Sequence, residues 1–228
     1  MGKVLVTGAA SGIGEETARY LKDKGYLVTG ADMSERDGVE KLDVTKEDSW
    51  YEIFDRHGPF KSLVNCAGIR TRSMIVDTSV GEFEKHLNVN VTGTWLGIRE
   101  MFRQGNSDEP RSIVNIASVN SVIAVASQAH YVASKGAIAS LTKAAALEGS
   151  EIGVRVNAIA PGPIRTPMTK ERLADPEQVQ WLEGRVPMGR FGEPVEIATT
   201  VEYLITEASS YVTGTVIFVD GGWTANGA

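Results

Sequence analysis

The sequence predicts an α/β protein built on one doubly wound sheet, parallel, about seven-stranded, with helices on both faces. Three observations predict it. Short apolar, β-rich runs recur along the chain with helical patterns between most of them, the rhythm of parallel strands joined by crossover helices. The runs are continuous in polarity instead of alternating, as strands covered on both faces must be. A glycine-rich turn stands between the first run and the first helical pattern, at residues 7–14.

Each element follows from its residues. Lys3–Val6 is the first strand and Glu15–Lys24, rich in helix formers, the first helix. Tyr26–Thr29 is the second strand; Lys46–Arg56 carries Trp50, Ile53 and Phe54 at helical spacing. Ser62–Asn65 and Ser112–Ile116 are strands flanking a long helix over Val80–Gln104. The run from Gln128 to Gly149 is a helix dominated by alanine and other good formers, and Val154–Ile159 is the next strand. A proline-rich stretch, roughly 161–194, is the one long irregular segment; it holds a short amphipathic piece at Glu177–Glu183 and reads as a lid or substrate-binding segment. Val216–Val219 is the last strand.

At 228 residues the chain fits a single domain, 1–228, with the 161–194 segment inside it. The formal charge of −6 provides no basic footprint for nucleic acid and no polybasic run for an anionic membrane, so small-molecule chemistry is expected. The opening MGKVLVTGAA is too short in apolar residues for a signal core or a membrane span, and a cytoplasmic location follows as the expectation. A lone cysteine, Cys66, excludes an intrachain disulfide and reads as a buried small residue; no metal-ligand cluster is visible, and no metal is expected.

Two motifs carry chemistry. Thr7-Gly8-Ala9-Ala10-Ser11-Gly12-Ile13-Gly14 opens the first helix, where free backbone N–H groups and the helix dipole favour a phosphate. A glycine cluster alone is also compatible with an ordinary tight turn. Its context argues for a dinucleotide: twenty residues beyond Gly12, Asp32 ends the second strand, where a carboxylate can accept hydrogen bonds from ribose hydroxyls and would repel a 2′-phosphate. NAD is therefore expected over NADP, with Arg36 the one nearby basic group. Tyr131 and Lys135, four apart on a helix, share one face; an ammonium beside a phenol favours the phenolate, and such a tyrosine can pass a proton. The spacing alone recurs on many solvated helices and gains weight only with the rest of the chain.

With these motifs in place the sequence resembles the short-chain dehydrogenase/reductase family along nearly its whole length. The family's T-G-x-x-x-G-x-G stands as Thr7 to Gly14, its N-N-A-G as Asn65-Cys66-Ala67-Gly68, and its N-x-x-G as Asn90-Val91-Thr92-Gly93. Its catalytic serine maps to Ser118, thirteen residues before Tyr131, and Tyr131 and Lys135 complete Y-x-x-x-K. Pro161, Gly162, Ile164 and Thr166 resemble the segment lining the nicotinamide side, and Val219-Asp220-Gly221-Gly222 also fits. The resemblance implies a Rossmann domain and hydride transfer between nicotinamide and a small secondary alcohol or ketone. It implies Tyr131 as acid/base, Lys135 on the nicotinamide ribose and favouring the tyrosinate, Ser118 on the substrate oxygen, and Asn90 holding a water that links Lys135 to solvent. It places Gly8, Ser11, Gly12, Ile13, Gly14, Asp32, Asn65, Ala67 and Gly68 against the cofactor, with Asp43 and Val44 as its adenine-side pair.

Two departures stand out: Cys66 replaces the usual asparagine, and only eleven residues separate Asp32 from Asp43, too few for the helix commonly found there. His86 and His130 are expected to pack or lie at the surface, since neighbouring helical positions diverge by about 100°. Met168, Trp181, Met188 and Phe191 can line an apolar pocket or simply pack. The alternatives are a ketoacyl reductase acting on acyl-carrier-protein substrates and a non-catalytic NAD(H)-binding redox sensor. The small and apolar surface of the helices over 80–104 and 128–149, notably Ala133, Ala137, Ala144 and Ala145, implies a homo-oligomer, by resemblance a tetramer.

Overall fold

The computed structural model describes residues 2–34, 36–105 and 109–226. Its sheet has seven parallel strands in the order β3-β2-β1-β4-β5-β6-β7. In chain order β1 is Lys3–Thr7, β2 Leu27–Asp32, β3 Glu40–Lys41, β4 Ser62–Asn65, β5 Arg111–Ile116, β6 Val154–Pro161 and β7 Val216–Val219. The helices are α1 (Gly12–Asp23), α2 (Glu47–His57), α3 (Val80–Leu87), α4 (Gly93–Arg103), α5 (Ala129–Ser150), α6 (Lys170–Leu173), α7 (Pro176–Glu183) and α8 (Pro194–Ile205). The doubly wound α/β class expected from the sequence is the observed one.

The unbroken apolarity of the strands has a direct cause. Successive side chains point to opposite faces, and here both faces are covered. Leu5, Leu63, Ile113 and Val156 pack on one side with Trp50, Leu96, Met101 and Ala145 from α2, α4 and α5. Their neighbours Val4, Val6, Val64, Val114 and Ile159 pack on the other with Leu21 of α1 and Ile197, Val201 and Leu204 of α8. Burying each such side chain contributes about 1.5–3 kcal/mol, so a one-residue slip in any central strand would exchange two complete cores.

Four features depart from the sequence expectation. The helix over 80–104 is two helices joined by a π-helical turn, Asn88–Thr92, after which Gly93 packs closely against Val44; a Cβ there would stand 2.9 Å from Val44 Cγ2. The two-residue strand β3 is too short and polar to show a period, yet it pairs Ala31 with Glu40 and Asp32 with Lys41. The first helix starts at Gly12, three residues before the helical pattern becomes visible. Ala145, expected on an outward face of α5, is buried in the core beneath it, whereas Ala133 and Ala144 are exposed.

The 161–194 stretch is not free of structure. Ile164 and Gly192 form a parallel bridge, and Arg165 N–H donates to the Gly192 carbonyl at 2.9 Å while Gly192 N–H donates to that of Pro163 at 2.9 Å. Its two ends are thus clasped at one point, and α6 and α7 lie on the excursion between them. Asp175 caps α7 by accepting from the N–H groups of Glu177 and Gln178, with Pro176 at the first helical position.

Candidate active site

Strand order reverses at β1, which lies between β2 and β4, and in open α/β sheets ligands bind beyond the C-terminal strand ends at such a point. A cleft of about 870 Å³ opens there. Its walls include Gly8, Ser11, Gly12, Ile13 and Gly14 from the first turn, Asp32, Asp43, Val44, Ala67 and Gly68 from the next strand ends, and Ser118, Tyr131 and Lys135 opposite. Pro161, Gly162, Ile164 and Thr166 close it from the β6 side. The structure therefore brings together almost every residue singled out in the sequence.

The glycine-rich turn is shaped by close approach. Gly8 has φ +67° and a Cβ there would lie 2.8 Å from Ala67 N; a Cβ on Gly14 would lie 2.2 Å from the Gly8 carbonyl oxygen. Thr7 ties the turn to β4, its hydroxyl accepting from the N–H groups of Cys66 and Ala67 at 3.1 Å each. Ser11 occupies the N-cap of α1 but its side chain makes no cap hydrogen bond. The first N–H groups of α1 therefore face the cleft with a spare hydroxyl beside them, which fits the diphosphate of a dinucleotide.

Asp32 accepts from Ala10 N–H at 3.1 Å and Ser34 N–H at 2.8 Å, one bond on each carboxylate oxygen. Each oxygen retains acceptor capacity toward the cleft. Arg36 is held away: it pairs with Glu15 at 2.7 Å and donates to the Ala10 carbonyl. The described residues between Asp32 and Glu40 form only a turn, closed by an Arg36–Val39 bridge. Asp43 spends one oxygen on the Thr45 N–H and hydroxyl.

On the opposite wall, Ser118 is oriented by Asn120, whose N–H donates to its Oγ at 3.2 Å and whose Oδ1 accepts from it at 3.3 Å. Burial raises the Tyr131 phenol above its ordinary value, while the Ser118 hydroxyl and the Arg70 guanidinium pull it back down. Lys135 donates to the Ile116 carbonyl at 2.7 Å, and burial lowers its ammonium to about 8. Its Nζ lies 5.6 Å from the centre of the Tyr131 ring. Arg70 is thus a cation acting on the phenol that the Y-x-x-x-K motif did not include.

Two expected residues do not line the cleft. Asn65 is buried beneath it, donating to Asn115 Oδ1 at 2.9 Å, and so links β4 to β5. Asn90 is fully buried in the π-helical turn; its Oδ1 accepts from Ile69 N–H at 2.8 Å, and its Nδ2 donates to the Ile69 carbonyl and to Ser134 Oγ. Both Nδ2 donors and one acceptor site of Oδ1 are thus spent on positioning the Ile69 loop and α5. Cys66 is half-buried, with its thiol pushed up to about 12 by burial.

The histidines pack, and they do so against each other. His86 and His130 are both fully buried, with ring centres 4.2 Å apart. Both reach Thr71: His86 Nε2 accepts its N–H at 3.2 Å, and His130 Nε2 lies 3.0 Å from its hydroxyl. They thereby fix the loop carrying Arg70 and Arg72. Arg70 and Arg172 line the cleft, and sequence reasoning singled out neither; the run Gly68-Ile69-Arg70-Thr71-Arg72 offered only its charge as a signal. Of the four late apolar residues, Phe191 is core, Met168 lines the cleft, and Trp181 and Met188 are exposed.

Comparison with known proteins agrees with this geometry. The family model described as enoyl-(acyl carrier protein) reductase matches residues 8–224. Cyclopentanol dehydrogenase of Comamonas testosteroni is 34% identical over 98% of this chain and 97% of its own length. A 3-oxoacyl-[acyl-carrier-protein] reductase of Thermotoga maritima is 37% identical, covering 97% of both chains. The structure of 4-hydroxyisoleucine dehydrogenase complexed with NADH superposes with a TM-score of 0.92 at 30% identity, covering 99% of this chain and all of the other. A family model matching residues 8–224 and relatives 34–37% identical over nearly the full length of both chains stand beside the phosphate-ready turn, the strand-end carboxylate and the Ser–Tyr–Lys wall of this cleft: the protein belongs to the short-chain dehydrogenase/reductase family and is an oxidoreductase of that type.

Proposed function

We propose that the protein is an NAD-dependent dehydrogenase that oxidises a small secondary alcohol to a ketone, or runs the reverse reduction. The observation that carries this reading is the convergence of Ser118, Tyr131 and Lys135 on one wall of a cleft whose other end is the open N-terminus of α1. When bound, the cofactor supplies a two-electron hydride acceptor in its nicotinamide ring. Tyr131 takes the hydroxyl proton of the alcohol, or returns it to the carbonyl oxygen in reduction. Ser118, fixed by Asn120, holds that oxygen by a hydrogen bond. Lys135 donates to the nicotinamide ribose while its bond to Ile116 fixes its direction. Asp32 accepts from the adenosine ribose, Gly12 to Gly14 meet the diphosphate, and Asn65 and Asn90 act as positioning residues for the strand ends and the Ile69 loop. Residues 161–194 cover the substrate.

Replacing Tyr131 by Phe should leave NADH binding intact, read by fluorescence, and lower turnover about 10²–10⁴-fold. Retention of more than about a tenth of the activity would remove Tyr131 from the proton-transfer role. The ketoacyl-reductase reading is favoured by the 37% identical Thermotoga relative; a carrier-bound 3-oxoacyl substrate reduced far faster than free ketones would select it. A redox sensor without turnover is opposed by the complete Ser118, Tyr131 and Lys135 set.

A further inference from the structure

Two arginines, Arg70 and Arg172, line the cleft, and Arg72 acts on both of them; among the described residues none of the three has an ion-pair partner. Arg172, on α6, is only 9% exposed, lines the cleft, and its Nε has no hydrogen-bond partner. Arg70 donates to the Met168 carbonyl and Arg72 to Gln178 Oε1, both neutral acceptors. No ion pair among the described residues involves any of the three. Glu171 acts on Arg70 from outside ion-pair range, Glu82 is occupied by the Thr71 hydroxyl, and Asp175 by the α7 cap.

Like charges so placed oppose one another: burial and the charges of Arg72 and Arg70 bring the Arg172 guanidinium down to about 10. A buried guanidinium with an unmet donor beside two more cations is costly unless an anion completes it. A planar fork of donors suits a carboxylate. The site is also built in depth, because Thr71, between Arg70 and Arg72, is fixed by the buried His86–His130 pair. Arg70, Arg172 and Tyr131 line the same cleft, and Arg70 acts on the Tyr131 phenol, so an anion at this cluster shares the cleft with the reacting oxygen.

We propose that Arg172, with Arg70 and Arg72, forms a subsite for a carboxylate on the substrate, so that the alcohol oxidised at Tyr131 belongs to a hydroxy acid and the product is the corresponding oxo acid. This assignment rests on the alcohol-dehydrogenase reading of the same cleft.

The test uses hydroxyhexanoates with the hydroxyl at successive carbons, each against its primary amide, with NAD as oxidant. At the best position the acid should exceed its amide in kcat/KM by about ten- to a hundredfold, the size of one or two charge-assisted hydrogen bonds. Arg172→Gln should abolish most of that preference through KM, lowering kcat/KM for the acid far more than for the amide while NADH binding is kept, and be partly rescued by Arg172→Lys; the exposed Arg72→Gln should give a weaker form of the same effect. Calorimetric binding of the matching oxohexanoates to the protein, with and without NADH, provides a readout independent of turnover. Acid and amide bound and oxidised alike by the wild type would overturn the subsite. So would a loss of NADH affinity in Arg172→Gln as large as the loss of acid affinity, since the arginines would then serve a cofactor phosphate. Oxo acids bound through Arg172 with no acid or amide ever oxidised would instead overturn the dehydrogenase reading and leave the subsite standing.

Discussion

Tyr131 is a base only when deprotonated, and burial raises its phenol above the ordinary value near 10. The sign follows. Alcohol oxidation, which needs the phenolate, should gain in kcat/KM about tenfold per pH unit through the neutral range, up to about 8, where the Lys135 ammonium begins to lose its charge. Ketone reduction needs the neutral phenol and should stay level over the same range. A pH–rate profile for oxidation that is flat from neutrality upward would show that another group moves the proton. At the far end of the cleft, wild-type protein should prefer NAD in kcat/KM, and Asp32→Ser should narrow the ratio by removing a like charge from a 2′-phosphate. The narrowing should be partial, because Arg36 stays paired to Glu15. Equal use of NAD and NADP by the wild type would mean that Asp32 does not face the ribose. What was legible at this scale was whatever a motif fixes by spacing: Ser118, Tyr131, Lys135 and Asp32. Arg172 lies on a four-residue helix without any motif, and Asn120 touches Ser118 through a turn that no periodicity encodes, so neither could be read in advance.

On the proposed reading, the first turn and α1 form the element that receives the cofactor's diphosphate. Gly14→Ala places a methyl 2.2 Å from the Gly8 carbonyl oxygen, a clash with backbone that only a shift of the whole turn relieves. Stability should fall by about 1–3 kcal/mol, and NADH affinity should fall with it. Ala at Gly81, where a Cβ meets nothing within 4 Å, is the matched control, and equal behaviour of the two variants in thermal melts would contradict the close-packed turn. Elements covered on both faces were legible almost to the residue, as Ser62–Asn65 and Val216–Val219 show. Elements held by tertiary contacts alone were not. The π-helical turn at Asn88–Thr92 is flanked by contacts from distant parts of the chain, Gly93 with Val44 and Asn90 with Ile69 and Ser134. The edge strand β3 likewise owes its two residues to β2 beside it.

For the whole molecule, α4 and α5 leave Trp95 43% and Leu147 76% exposed, and the small Ala133 and Ala144 of α5 are exposed as well. Such a surface suits pairing with a second copy, and a homotetramer is the expected assembly. Sedimentation should find a species several times 24.5 kDa at micromolar concentration, and a stable monomer there would refute it. Among the described residues no helix is long and apolar enough to cross a membrane. The Ile164–Gly192 clasp has a consequence for how such a protein can change. Because the excursion over residues 167–191 leaves and rejoins the sheet's rim at one place, beyond Thr166 on the nicotinamide side, its length and sequence are decoupled from the strands beneath the dinucleotide cleft. It is a cassette: a different excursion could be transplanted onto the same two anchor residues, altering what is oxidised while the machinery that receives the hydride is inherited unchanged.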